Sequence, residues 1–347
     1  MTYRHSRRRQ RPRTRLGIAA ERGLGIIARL RPAVVRGMLW LPGFLALMGL
    51  LMRLSVRDRI EPISYVHYGT PWPVIAVLAF VASVIFGFRR GRGRLIWTCG
   101  FAGLGLAAGL MWSLSSFERG NPTVPVSAES PVLRVVVWNA EGKLLSAELL
   151  RALRDVEPDL ALVVESGYRT GPPFKTFFAK THHTWSPGGH MMVLSRDEMT
   201  PDPDSWKGRG WWNYDHLNRF LGFSTRFEGR PLRVLGVDVY SRAKNKRSVA
   251  AEHAARMGRQ DEIPTIVLGD FNTPADSVWF ESMREVFFHA FERAGEGYSA
   301  TWPEPVPVLQ IDHVWLERGA FEVVQVQQID TNLSDHRMLV VDLQFVE

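Results

Sequence analysis

The sequence predicts an α/β domain preceded by an all-α, membrane-spanning region, and three observations carry that prediction. From about residue 132 to residue 347, β-rich runs alternate with runs of helical periodicity. Before them lie three apolar runs without a charged residue, at 37–52, 71–88 and 95–117. Charge divides the chain the same way. Residues 1–120 carry 19 Arg, no Lys and four acidic residues, a net +15, whereas residues 121–347 carry 24 basic and 31 acidic residues, a net −7. The formal charge of +8 therefore belongs to the N-terminal part. The α/β part has no global electrostatic footprint for a polyanion. The single Cys, Cys99, excludes an internal disulfide.

The runs 71–88 and 95–117 are long enough to cross the hydrocarbon core of a bilayer, and 37–52 is slightly short. A signal peptide is a poor reading of the first run, because two more follow it and no small-residue cleavage site is evident. The expectation is three spans. Residues 1–36 hold 11 Arg against one acid, Glu21, and the loop 89–94, RRGRGR, holds four Arg. Residues 53–70 are mixed, with Arg53, Arg57 and Arg59 against Asp58 and Glu61. Arginine-rich segments stay in the cytoplasm. The chain should therefore be an integral membrane protein, with a cytoplasmic N-terminus and its C-terminal domain outside the cytoplasm. Residues 118–131, rich in Pro, Ser and Asn, read as a linker to a domain at 132–347.

In that domain, VLRVVVWNAEG is a β-rich run ending in Asn139 and Glu141. SAELLRALRDVEP has leucines at helical spacing, with Ser146 as an N-cap and Pro158 beyond the end. DLALVVES is a strand ending in Glu165, HMMVLSR is another, and RPLRVLGVDVYS runs into Asp238 and Tyr240. Helices are expected over RSVAAEHAARMGR and DSVWFESMREVF. Between them IPTIVLGDFNTPADS reads as a buried strand ending in Gly269, with Asp270 and Asn272 at its mouth. VLQIDHVWLE and NLSDHRMLVVDLQF close the chain.

One polar residue at a strand end is turn chemistry. Here Asn139, Glu165, Asp270, Asn272, Asp312 and the pair Asp335–His336 all stand beside apolar runs, which suggests one convergent site. Carboxylate and amide oxygens suit a hard cation, Mg²⁺ or Mn²⁺. No Cys or His set has zinc-ligand spacing, no GxxxxGK[ST] or GxGxxG loop is present, and GxSxG is absent. Metal-assisted hydrolysis remains.

These motifs resemble those of the endonuclease/exonuclease/phosphatase superfamily, whose deoxyribonuclease I-like fold is a four-layer α/β/β/α sandwich. VVWNAEG is similar to its first motif, so the resemblance implies that Asn139 helps bind metal or phosphate. PDLALVVES is similar to PDIIALQE, which makes Glu165 the principal metal ligand, and GGHMMVLSR resembles GxAILSR. GDFNTP matches the family's most specific motif. Asp270 would orient or deprotonate the attacking water there, and Asn272 would hold the phosphate. IDHVW resembles IDYIF, so Asp312 would orient the terminal histidine. SDHRMLVVDL matches SDHxPV, so His336 would stabilise developing charge or act as a base, and Asp335 would support the metal site. Where many members carry NxHL, Asp238 and Tyr240 stand. Tyr240 resembles the tyrosine of abasic-site endonucleases and could bond a phosphate; for Asp238 a buried strand polar is the plainer reading.

The resemblance implies a divalent-metal-dependent phosphoester hydrolase, most readily a phosphodiesterase. Its substrate would be nucleic acid, a phospholipid headgroup or a small phosphodiester; no protein partner is inferable. The competing reading is a non-catalytic membrane protein that keeps the fold for binding. Other residues have plain alternatives: His182 and His183 read as a loop, the basic cluster SRAKNKR (241–247) as a phosphate contact or a solvated loop, KGRGWWNYDH (207–216) as a base- or membrane-stacking surface or a packed cap, and Trp302 as cleft lining or core.

Overall fold

The computed structural model describes residues 37–118, 130–143, 146–166, 177–186, 190–202, 218–241, 247–257 and 263–346. The Arg-rich residues 1–36, most of the linker, residues 207–216 and residues 242–246 lie outside these.

The N-terminal part is helical: α1 (Gly37–Leu54), α2 (Glu61–Gly69), α3 (Trp72–Gly87) and α4 (Arg94–Ser116). Helices α1 and α4 are each long and apolar enough to cross a membrane. A third crossing arises if α2 and α3, bent by 65° at their junction, count as one span. Pro71 and Pro73 flank the start of α3 and explain the break, since proline removes a backbone donor. Small residues Ala79, Ala82 and Ala108 let α3 and α4 pack closely. Phe80, Phe88, Ile96 and Leu106 remain exposed, as a lipid-facing surface requires. Within the mixed-charge segment 53–70, α2 forms and docks on the α/β domain.

After β1 (Phe117–Glu118) the chain continues as β2 (Leu133–Asn139), α5 (Ala147–Asp155), β3 (Leu160–Val164), β4 (His183–Trp185), β5 (Met191–Ser195) and β6 (Thr200–Pro201). Then come β7 (Asn218–Phe227), β8 (Arg230–Val239), α6 (Arg247–Met257), β9 (Thr265–Asp270), α7 (Glu281–Val286), β10 (Phe287–His289) and α8 (Ala290–Ala294). The last elements are β11 (Gly297–Tyr298), β12 (Asp312–Glu317), β13 (Phe321–Ile329) and β14 (Met338–Phe345). One six-stranded sheet has the order β13-β14-β2-β3-β5-β4 and the other β10-β12-β9-β8-β7-β6.

Strand periodicity builds the layers. Val135, Val137, Leu160 and Leu162 share a core with Val234, Ile266, Leu268 and Val314 of the facing sheet. The alternate residues Val136, Trp138, Ala161 and Val163 pack with Leu149, Leu150 and Leu153 of α5. Likewise Leu235, Val237 and Val267 pack with Ala250, Ala251 and Ala254 of α6. The result is the α/β/β/α sandwich. Helix α5 forms as its sequence suggests: Ser146 Oγ accepts the Leu149 amide at 3.2 Å, and the three leucines lie on one face. Burying each stabilises by roughly 2 kcal/mol.

Some elements differ from expectation. The run DSVWFESMREVF is split into a 3₁₀ turn, Val278–Phe280, followed by α7, because Ser277 caps the turn rather than one long helix. Strands β7 and β13 carried no clear sequence signal. In β13 a register shift between Val323 and Gln325 breaks the two-residue period.

Strand β9 ends where only glycine fits. Gly269 has φ +144°, and a Cβ there would lie 1.8 Å from the Val237 carbonyl oxygen of β8. Gly269→Ala must push β8 and β9 apart directly behind Asp270, at an expected cost of about 3 kcal/mol or more. Thermal unfolding of the full chain in detergent checks this, and a parental melting temperature would show that the strands separate freely.

Candidate active site

Parity and register place the acidic residues. Asp312 pairs with Asp270 across β12 and β9, and Asp270 pairs with Asp238 across β9 and β8. All three occupy the inward-facing alternation of their strands, and each is at most 1% exposed. Neighbouring strands are about 4.8 Å apart, so this is a buried row of carboxylates.

Each member has its own partner. His336 Nδ1 lies 2.8 Å from Asp312 Oδ2. Asn139, on the inward face of β2, donates Nδ2–H to Asp270 Oδ2 at 2.9 Å and so joins the two sheets. Arg219 of β7 pairs with Asp238, its opposite residue in the ladder. Asn272 adds its backbone amide to Asp270 Oδ1 at 2.7 Å and its side-chain amide to Asp270 Oδ2 at 3.0 Å. The first of these is an Asx turn, so the turn chemistry of GDFN and its site chemistry are one structure. Asn272 also donates to the Val239 carbonyl at 2.7 Å and sits at φ +46°.

The electrostatics follow from burial and crowding. Burial raises the Asp270 pKa well above the usual carboxylate value, the Asp312 charge raises it further, and His336 opposes them. For Asp238, burial dominates, Arg219 offsets it, and Glu165 reinforces it, leaving a pKa of about 6. Burial alone would lower the His336 pKa. The Asp312 charge and hydrogen bond, with Asp270 and Asp335, outweigh it and push the imidazole up to about 10.

The first sheet and the loop before β14 complete the cleft. Glu165 follows β3 at φ +50° and is partly exposed. Asp335 Oδ2 accepts the Trp302 indole N–H at 2.9 Å, so Trp302 lines the site. The Glu141 carboxylate accepts the Asp335 amide at 3.2 Å. Tyr240 follows β8 directly, and the Arg219 guanidinium stands 5.8 Å from its ring centre. Asn139, Glu165, Tyr240, Asp270, Asn272, Asp312, Asp335 and His336 thus all lie at the strand ends that form this cleft. His182 does not join them: its Nε2 contacts the Pro158 carbonyl at 2.7 Å. His183 begins β4, at the sheet's far edge.

A divalent cation suits this donor set. Ligand atoms of Asp270, Asp312 and His336 lie within 4.8 Å of one another, the group of this kind among the described residues. Asp312 Oδ1 and Asp335 Oδ1 are buried acceptors without a hydrogen-bond donor, and an oxygen so placed suits a cation ligand.

Sequence reasoning missed two arginines. Arg219 lies on the strand that carried no clear signal. Arg247 ends the basic run 241–247 but is buried: its Nε donates to the Asn272 carbonyl at 2.9 Å and its Nη2 to the Ser241 carbonyl at 3.2 Å.

The Endonuclease/Exonuclease/phosphatase family model matches residues 136–336. Among solved structures of similar fold, truncated Caenorhabditis elegans TDP2 is 15% identical and covers 62% of this chain and 98% of its own, at a TM-score of 0.49. The human Nocturnin catalytic domain with bound sulfate anion is 16% identical over 62% of this chain and 96% of its own, at a TM-score of 0.45. An endonuclease/exonuclease/phosphatase family protein from Leptotrichia buccalis is 13% identical over 61% and 100%, at a TM-score of 0.48. No curated protein matches the sequence.

The raised His336 pKa has a consequence for stability. An unfolded histidine titrates near 6.5. The His336 contribution is therefore complete below about pH 6.5 and is lost as pH rises through about 10. With metal stripped by chelator, the melting temperature of the full chain should fall between pH 7 and 10, and His336→Gln should flatten that slope. An equal slope in parent and variant would contradict the charge assignment.

Proposed function

The chain belongs to the endonuclease/exonuclease/phosphatase family, and from that premise we propose a membrane-anchored, divalent-metal-dependent phosphoester hydrolase that cleaves phosphodiesters. The observation that carries this is the buried row Asp312–Asp270–Asp238, with His336 and Asn139 bonded to its members. Such a row is costly to bury and serves no packing purpose.

The ion, Mg²⁺ or Mn²⁺, would be held by Glu165 with Asp335 and Asn139. The tighter cluster of Asp270, Asp312 and His336, the other group that could hold a cation, is assigned instead to proton transfer and charge stabilisation, with His336 Nδ1 bonded to Asp312 Oδ2. When bound, the ion supplies Lewis acidity toward a phosphate oxygen. Asp270, a stronger proton acceptor than an ordinary carboxylate because burial and the Asp312 charge raise its pKa, is suited to take a proton from water. His336, protonated at neutral pH and held through Nδ1 by Asp312, offers Nε2–H to the charge developing on phosphate. Asn272 fixes the Asp270 carboxylate and faces the phosphate. Tyr240 adds a phenolic donor. The substrate is a phosphodiester presented by nucleic acid, a phospholipid headgroup or a small molecule, taken without base selectivity.

Residues 37–117 form the anchor and 132–347 the catalytic domain, with the linker 118–131 between. The N-terminus is cytoplasmic and the catalytic domain extracytoplasmic, the orientation that the arginines of 1–36 and 89–94 favour. In this topology residues 53–70 and the catalytic domain lie on the same side of the bilayer, as the contacts between them need.

Asp270→Asn should reduce turnover of a bis-aryl phosphodiester by about 10²-fold with little change in KM, and Asp312→Asn should reduce it less. Near-parental turnover by Asp270→Asn would leave GDFN as a turn alone. An alkaline-phosphatase fusion after Glu347 should be active and a fluorescent-protein fusion dark; the reverse would invert the topology.

A further inference from the structure

The loops that carry the candidate catalytic residues do not stand alone. They are gripped by the segment between α1 and α3. The Asp58 carboxylate, 0% exposed, accepts the Val278 amide at 3.0 Å, the Ser277 hydroxyl, and the Tyr68 hydroxyl at 2.9 Å. Arg53 donates Nη1–H to Asp276 at 2.5 Å while its Nε–H goes to the Thr70 carbonyl at 2.8 Å. The loop after β9, which carries Asn272, thus ends on two side chains of the membrane part.

A second grip works through Arg247. Its guanidinium lies 5.1 Å from the ring centres of both Tyr65 and Tyr68, and its Nη1 donates to Tyr65 Oη at 3.1 Å. Tyr65 in turn donates to the Ser241 carbonyl at 3.2 Å, beside Tyr240. The same arginine holds the carbonyls of Asn272 and Ser241, one in each loop. Removing the membrane segment would strip Arg247 of both rings and expose the buried donors that Asp58 satisfies.

From this geometry we infer that the segment 53–70 is a positioning part of the active site. Asp58 and the Tyr65–Tyr68 pair set the placement of Asn272 and Tyr240, and through the Asx turn of Asp270, by holding their loops against the membrane anchor. None of these residues touches the reacting atoms. A plain linker-and-anchor arrangement needs none of these contacts, because a tether requires only a chain. The inference rests on the hydrolase reading for its effect on rate, and on geometry alone for its effect on the loops.

The test uses the full chain in detergent, with Asp58→Asn and Tyr68→Phe. Turnover of bis(p-nitrophenyl) phosphate with Mn²⁺ is measured alongside amide exchange of residues 270–278. Displaced loops should lower kcat roughly 10-fold in Asp58→Asn and about 3-fold in Tyr68→Phe, with KM within about two-fold of the parent. Exchange at 270–278 should quicken in both, while that of 133–139 stays parental. A merely structural contact would lower the melting temperature and leave the kcat of the folded protein alone. If Asp58→Asn does not fold, Tyr68→Phe, which removes one hydroxyl, decides by the same readings. Where the parent cleaves the diester, parental kcat in the folded variants overturns the inference. If the parent cleaves no diester, the hydrolase reading fails separately, and parental exchange at 270–278 then overturns the coupling.

Discussion

Three buried aspartates held side by side in one sheet are the constraint on which the rest depends. Strand spacing alone sets Asp312, Asp270 and Asp238 as neighbours once β12, β9 and β8 pair in this register. A buried ion costs several kcal/mol unless it is matched. The fold therefore has to bring a donor to each. Those donors come from three separate places: His336 from the loop before β14, Asn139 from the facing sheet, and Arg219 from β7. A register slip of one residue would turn the whole row outward and leave His336, Asn139 and Arg219 with nothing to bind.

The Asn139–Asp270 hydrogen bond shows how packing and chemistry are joined. Below it, the two sheets meet through apolar side chains that tolerate small shifts. At their end they meet through an amide and a carboxylate at 2.9 Å, which do not. The apolar core thus brings the sheets to a separation that the polar end then specifies. Behind Asp270, Gly269 lets β9 lie against the Val237 carbonyl, so the carboxylate reaches the interface without bending the strand.

Much of this was legible in the sequence. Strand runs ending in Asn139, Glu165 and Asp270 have strong periodicity, and their polar ends are conspicuous against it. The helix α5 announces itself through Ser146 and its leucines. What was not legible depends on long-range pairing. Arg219 reads as one charge among many until β7 is known to lie opposite Asp238. Asp238 itself read as a buried strand polar, since nothing local says that Asp270 is its neighbour. Arg247 looked like part of a solvated basic run, yet its charge is absorbed by two tyrosines some 180 residues away in the chain. Asp58 offered no signal, because its partners, Ser277 and Val278, lie on another element altogether.

The contacts between the N-terminal helices and the α/β domain bear on how the proposed membrane-anchored hydrolase would meet its substrate. A flexible tether raises local concentration but leaves orientation free. Here the domain is held at two separated places. One is the segment 53–70 against the loops after β8 and β9. The other is the short β1–β11 pair at the end of α4, where Trp112 also meets Tyr298 with ring centres 5.7 Å apart. Two attachments remove rotations that one would allow. Free energy spent on that contact lowers the entropy that must be lost when substrate binds, provided the substrate arrives from the direction the cleft faces. An ionic contact such as Arg53–Asp276, whose aspartate is half exposed, adds little stability and is better understood as a device for orientation between anchor and domain.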